Sequence, residues 1–249
     1  IDDLFIALAG GRDVLAGHLA APDQWSFTTA GRIWLNQNWA SHVLFFAAHA
    51  AAGETGLLVL KALLLIAGTT FLALAARARG VDWPLAFVAA AVPFTASRSY
   101  IDPRPSLVSL VLASALLWIL TRAMSRPRWL WLAVAVIAVW ANAHGGFIFG
   151  LGLVGLWTLA LGVATPSVLP TALVALAVAV ALAAFANPFG LENLTHPFVV
   201  GSSATWRSVA EWVPLFTSDL TAFGSRWEIC TLAALFVLLL LARLLTQRR

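Results

Sequence analysis

Seven apolar runs dominate the chain, at roughly 56–76, 83–99, 105–123, 129–142, 146–164, 168–186 and 227–246. A helix crosses the hydrocarbon layer with ~20 apolar residues, in a range of ~17–25. Lipid offers the backbone no hydrogen-bond partners, so each run must satisfy its own peptide groups, which a helix does. The expected fold is therefore all-α: a polytopic transmembrane helix bundle of about seven membrane helices. Composition fits, with 61% hydrophobic and 10% charged residues, where soluble domains carry ~25% charged. The run at 129–142 is short. It reaches Asn142 and His144 and breaks at Gly145-Gly146, which reads as a half-length helix ending at a polar cavity. Pro105, Pro127 and Pro170 lie near helix starts, where a missing N–H costs little.

Residues 1–53 are more polar than the rest of the chain. They carry Asp2, Asp3, Asp13, Asp23, Asn36 and Asn38 with Trp25, Trp34 and Trp39, and tryptophan suits a membrane–water interface. They are read as an outer loop with interfacial helices. Residues 54–249 form the transmembrane domain, with a second outer loop at about 187–226. No signal peptide is visible at the polar, acidic start, and a membrane helix is expected to precede Ile1. Asn38, His42 and His49 fall within about 40° on a helical wheel. With no acid completing a ligand set there, they read as the wet face of an interfacial helix. Lys61 reads as a snorkelling side chain.

The net charge is +4, from fourteen Arg and one Lys against eleven acids. The Arg residues sit mostly in short loops rather than along one polar face, which speaks for membrane orientation and against nucleic acid. With residues 1–53 outside, the inner loops hold Arg77 and Arg79, then Arg122, Arg126 and Arg128. Ten of the acids then fall outside, with only Asp82 inside. The expected location is the bacterial cytoplasmic (inner) membrane, with the polar site facing the periplasm. The single Cys230 lies in an apolar run, which excludes an internal disulfide or a Cys-based metal site.

Polar groups recur where the runs reach the outside. One junction reads Arg98-Ser-Tyr-Ile-Asp102-Pro-Arg104, the next Trp140-Ala-Asn142-Ala-His144-Gly-Gly. Another reads Asn187-Pro-Phe-Gly-Leu-Glu192-Asn193-Leu-Thr-His196-Pro, and the long loop beyond it holds Glu211-Trp212. Polar side chains at membrane depth are costly and mark a site by default. Asn142 and Asn187 end helices running in the same direction, so they either line one cavity or cap their own helices. Asp102 is placed to pair with Arg98 or Arg104 and order the loop. Either Arg left over suits a phosphate, whose geometry guanidinium matches.

These segments, in order, resemble bacterial membrane glycosyltransferase-like proteins of the GT-C superfamily. The resemblance runs through Gly11-Arg12, Ser26-Phe27-Thr28, Gly31, Trp34 and Trp39, then Arg104-Pro105-Ser106-Leu107, Trp140 to Phe147, Asn187 to Gly190, and Glu211-Trp212. It covers nearly the whole chain through the order of its motifs. It implies sugar transfer from a polyprenyl-phosphate carrier, with an acid of the first outer loop as the catalytic element. That acid would be Asp2 or Asp3, taking a proton from the acceptor hydroxyl or holding a divalent cation such as Mg or Mn. Arg98, Arg104, Asn142, His144, Asn187, His196 and Glu211 are the candidates for binding substrate and its phosphate. Three positions where the family commonly has an ionisable residue are neutral here: Ala7, Ser106 and the stretch Asn36-Gln-Asn38. They support a second expectation, that the chain is a non-catalytic subunit among other membrane subunits on the same scaffold. No inverted repeat with paired broken helices accompanies the one short run, which speaks against a transporter.

Overall fold

The computed structural model describes residues 2–27, 29–96 and 101–203. Arg98, Glu211, Cys230 and the apolar run at 227–246 lie outside the described residues, as does the side chain of Asp2. All regular structure among the described residues is helical: α1 (Asp2–Leu15), α2 (Trp39–Ala78), α3 (Trp83–Ala96), α4 (Pro105–Ala123), α5 (Leu130–Ala143), α6 (Phe147–Ala164), α7 (Leu169–Phe185) and α8 (Glu192–Ser202). Short 3-10 turns lead into α5 and α7. A lone bridge between Pro22 and Ile33 closes the loop between α1 and α2.

Among the described residues, four helices are long and apolar enough to cross a membrane: α2, α4, α6, and α7 with its leading turn. The expected count of about seven is not confirmed by these four, and the seventh run, at 227–246, lies outside the described residues. Helices α3 and α5 are apolar but have 14 residues each, or ~21 Å at 1.5 Å per residue against a ~30 Å hydrocarbon layer. Pro93 sits within α3.

Helix α2 is bent rather than straight. Ala52 and Gly53 leave helical geometry, Gly53 at φ 59° and ψ −142°, a region essentially reserved for glycine. The bend is sharp enough that a Cβ on Gly56 would lie 2.0 Å from the Ala48 carbonyl oxygen. The limb at 39–51 belongs to one end of the molecule, and the limb at 54–78 is long enough to span.

Helix α2 packs on α1, α3 and α4, while α5 and α6 both pack on α7. The main core lies among α4 to α7, around Trp140, Phe147, Leu116, Leu120, Leu130 and Ile137. Lipid tails are as apolar as leucine, so close approach of backbones drives such packing. Ala172, Ala175, Ala179 and Ala183 form a stripe on α7 with 0–1% exposure. Gly150 of α6 lies against Trp140, whose ring a Cβ would meet at 2.7 Å.

The two ends of the bundle differ chemically. At one, Arg79 Nη1 lies 3.4 Å from Met124 Sδ. There Arg77 lies over Trp83 and Arg122 over Trp129, so the Arg-rich loops after α2 and α4 gather in one place. The start of α4 and the ends of α5 and α7 meet α1 and the first limb of α2 at the other, polar end.

Helix α1 docks through its glycines. A Cβ on Gly11 would lie 2.2 Å from the His42 carbonyl oxygen, with backbone rather than a movable side chain in the way. Gly11→Ala should therefore lower stability by about 1–3 kcal/mol, typical of overpacking. Thermal unfolding in detergent checks this. An unchanged midpoint would mean that α1 does not dock on α2.

Candidate functional site at the polar end

Pro105 occupies the first turn of α4 and starts the helix there, leaving Arg104 at its N-cap in extended geometry. From that position Arg104 Nη1 reaches Asp3 Oδ2 of α1 at 3.3 Å. Arg104 thus has a partner distant in sequence, while Arg98, the other expected partner of Asp102, lies outside the described residues. The side chain of Arg104 is 12% exposed and that of Asp3 is 57% exposed. A pair this open contributes about 0–1 kcal/mol to stability. Its carboxylate is open to a ligand while the guanidinium is anchored.

His144 lies beside this pair, in the turn between α5 and α6. Its Nδ1 accepts the Gly146 N–H at 3.0 Å and lies 2.8 Å from Ser109 Oγ. Ser109 Oγ also accepts Trp140 Nε1–H at 2.6 Å, so its one hydrogen is available to Nδ1. Two donors on Nδ1 leave the ring proton on Nε2. The ring is thereby a neutral donor at Nε2, suited to an anion's oxygen. Burial lowers the pKa of His144 to about 4, Arg104 acting the same way and Asp3 opposing. The Gly145-Gly146 break has a steric cause. A Cβ on Gly146 would meet Ser109 Oγ at 2.8 Å and His144 Nδ1 at 2.9 Å, and one on Gly145 would meet Gln37 Oε1 at 2.9 Å.

A second polar layer ties the helix ends together. Asn193 of α8 is fully buried and donates through Nδ2 to the carbonyls of Ala141 at 2.9 Å and Ala183 at 3.3 Å. Gln37 Nε2 donates to the Asn193 carbonyl at 2.7 Å and to its Oδ1 at 3.1 Å. Ser41 Oγ donates to the Ala143 carbonyl at 2.7 Å. Asn142 accepts Trp39 Nε1–H at 3.0 Å and donates to Ala138 and Ala186. Asn187 donates back to Ala183 at 2.7 Å and accepts the Phe189 N–H, capping its own helix. Asn142 and Asn187 thus lie at similar depth but serve the scaffold.

The expected wet stripe at Asn38, His42 and His49 is corrected at its centre. His42 is 3% exposed, because the bend folds the first limb of α2 onto α1, and it lies against Trp34. His196 is part-buried on α8, and burial lowers its pKa, opposed by Glu192 one turn before it. The side-chain bonds at Asp3, Arg104 and His144 do not reach it. No group of three or more His, Cys, Asp or Glu suited to a metal occurs among the described residues. Ser109, Trp140 and Gln37 complete the arrangement; Trp140 and Gln37 fall inside stretches singled out in the sequence, though not for this role, and Ser109 in none.

Compared with known proteins, the chain matches no family model, no curated protein and no solved structure.

Asn193→Ala removes the side-chain donor to Ala141, while Gln37 keeps the Asn193 carbonyl and Ala183 keeps Asn187, and should cost roughly 1–3 kcal/mol for the lost buried bonds. Chemical denaturation in detergent reads this, and a loss below ~1 kcal/mol would contradict the layer's role. Acidity gives a second check. His144 is charged at neutral-to-acidic pH only when unfolded, so its contribution is complete above its ordinary pKa of ~6.5 and is lost as pH falls toward about 4. Melting points should therefore drop between pH 7 and 5, and less steeply in His144→Gln. Parallel profiles for the two proteins would contradict a buried neutral ring.

Proposed function

We propose that the chain is a GT-C-like membrane glycosyltransferase acting on a polyprenyl-phosphate-linked sugar, with its polar end on the periplasmic face of the bacterial inner membrane. The observation that carries this reading is the Asp3–Arg104 pair with His144 beside it. Asp3 is the general base toward an acceptor hydroxyl. Arg104 and the Nε2–H of His144 hold the phosphate of the carrier, offsetting charge on the leaving group. A divalent cation, Mg or Mn, would bind at the Asp3 carboxylate if the reaction uses one. Seven spanning helices in all, with Arg98 and Glu211 at the same end, complete the reading. So does its orientation, which places the Arg-rich loops in the cytoplasm.

A second reading is a non-catalytic subunit of a larger membrane complex. Its support is specific. Ala7, where the proteins it resembles commonly have histidine, is fully buried in an apolar cluster with Phe45, Leu57, Val108 and Ala143.

The test is transfer of labelled sugar from a polyprenyl-phosphate donor by the protein in liposomes. Asp3→Asn should lower turnover by roughly 10²–10⁴-fold, the usual contribution of a general base. Arg104→Ala should raise the KM for the donor and lower kcat as well, because the guanidinium offsets charge on the leaving phosphate. Full transfer by Asp3→Asn would remove Asp3 from the reaction. Absence of transfer, together with a stoichiometric partner in native purification, would favour the subunit reading.

A further inference from the structure

Charge is met differently at the two ends of the bundle. At the polar end Arg104 pairs with Asp3, and Arg12 with Asp13 at 3.7 Å. At the other end Arg77, Arg79, Arg122, Arg126 and Arg128 come from two neighbouring loops. Among the described residues, none of the five has an ion pair with a carboxylate. The one acid of these loops, Asp82, is turned to its own helix, where Oδ1 accepts the Leu85 N–H at 3.0 Å. The loops nevertheless meet. Arg79 Nη1 reaches Met124 Sδ, which stands between Arg122 and Arg126 in the second loop. Arg77 Nη1 closes the first loop by donating to the Val81 carbonyl at 2.5 Å. Cations gathered in this way repel one another, and an anion among them relieves the repulsion.

The aromatic rings around these arginines point to the source of that anion. The guanidinium of Arg77 lies 5.2 Å from the ring of Trp83, and that of Arg122 lies 5.5 Å from the ring of Trp129. Trp129 meets Trp118 edge-on at 5.3 Å, and Trp118 stacks on Phe71 of α2. Tryptophan at the ends of spanning helices sits at the level of the lipid headgroups. A guanidinium on an indole face keeps its N–H edge for an oxygen acceptor. Apolar surface continues from the rings. Phe87 stacks on Trp83 and is half-exposed, and Leu117 beside Trp118 is exposed as well. A free anion would use the arginines alone, whereas a phospholipid uses the arginines, the rings and the apolar surface together. Basic sites of this kind between membrane helices take anionic lipid headgroups.

We propose that the loops after α2 and α4 together bind the headgroup of an anionic phospholipid, with Arg79 and Arg126 on its phosphate and its acyl chains against the adjoining apolar helix faces. This site lies at the end of the bundle away from Asp3, Arg104 and His144. It requires only that the bundle stands in a bilayer, and it holds whether or not the chain transfers sugar.

Native mass spectrometry of the full chain in detergent, titrated with phosphatidylglycerol and separately with phosphatidylcholine, tests the site. Phosphatidylglycerol should bind more tightly. Arg79→Gln should weaken it about fivefold, and Arg79→Gln with Arg126→Gln about 25-fold, at roughly fivefold per arginine near a headgroup. Phosphatidylcholine should be unaffected by either change. Arg12→Gln with Arg32→Gln removes the same charge at the polar end and should leave both lipids as they are. Arg79→Lys with Arg126→Lys keeps the charge but loses the planar fork, and its affinity should fall between wild type and the Gln pair. With its charge intact, the Lys pair tests the site even if the Gln pair does not insert. Equal affinity for the two lipids, the same loss from the Arg12 and Arg32 changes, wild-type affinity in the Lys and Gln pairs alike, or displacement of phosphatidylglycerol by inorganic phosphate at equal concentration would overturn the proposal.

Discussion

An amide buried among membrane helices has no water to fall back on, so it must find partners in the protein or cost several kcal/mol. Asn193 finds them on three sides, from Gln37 and from the last turns of α5 and α7. Those contacts decide where three separate parts of the chain stand relative to one another. Ser41 and Trp39 add further bonds from the first limb of α2 to Ala143 and Asn142. The ends of α5 and α7 are thereby fixed against residues 37–42, and the turn that carries His144 is fixed with them.

Packing supplies the rest of the positioning. The first limb of α2 can lie across the polar end only because Gly53 permits the bend. Helix α1 then rests on that limb through Gly10 and Gly11, which brings Asp3 to Arg104. Small residues act here at a site where hydrophobic burial alone could not choose between arrangements, since lipid competes equally for apolar side chains. The polar layer and the glycine contacts thus place one carboxylate, one guanidinium and one imidazole together. Their sequence separations alone would not have joined them.

Much of this was legible in the sequence, for identifiable reasons. The helices at 105–123, 147–164 and 169–185 follow the apolar runs closely, because length and hydropathy govern insertion. The short helix before His144 was legible from the Gly-Gly break, whose cause is lack of room beside Ser109 and Gln37. Asp2 or Asp3 came from the resemblance, and Arg104 and His144 from residue type at the outer helix ends; the fold sets Asp3, Arg104 and His144 near one another. What the sequence hid was partnership. Arg104 has Asp102 two residues away yet pairs with Asp3, since tertiary packing overrides proximity along the chain. His42 lies on a stripe that a helical wheel marks as wet, yet the bend buries it. Neither the bend nor the docking of α1 leaves a periodic signal, because each depends on single glycines.

On the proposed reading, the polar end receives the phosphate of a lipid-linked sugar. Photo-crosslinking the reconstituted protein with a polyprenyl-phosphate sugar bearing a photoreactive group next to the phosphate, with peptide mapping afterwards, tests it most directly. Label should then fall on α1, on the segment around Arg104 and on the turn at 144–147, and be reduced by Arg104→Ala. Label confined to the Arg-rich loops at 77–82 and 122–128, or spread evenly along the lipid-facing helices, would contradict it.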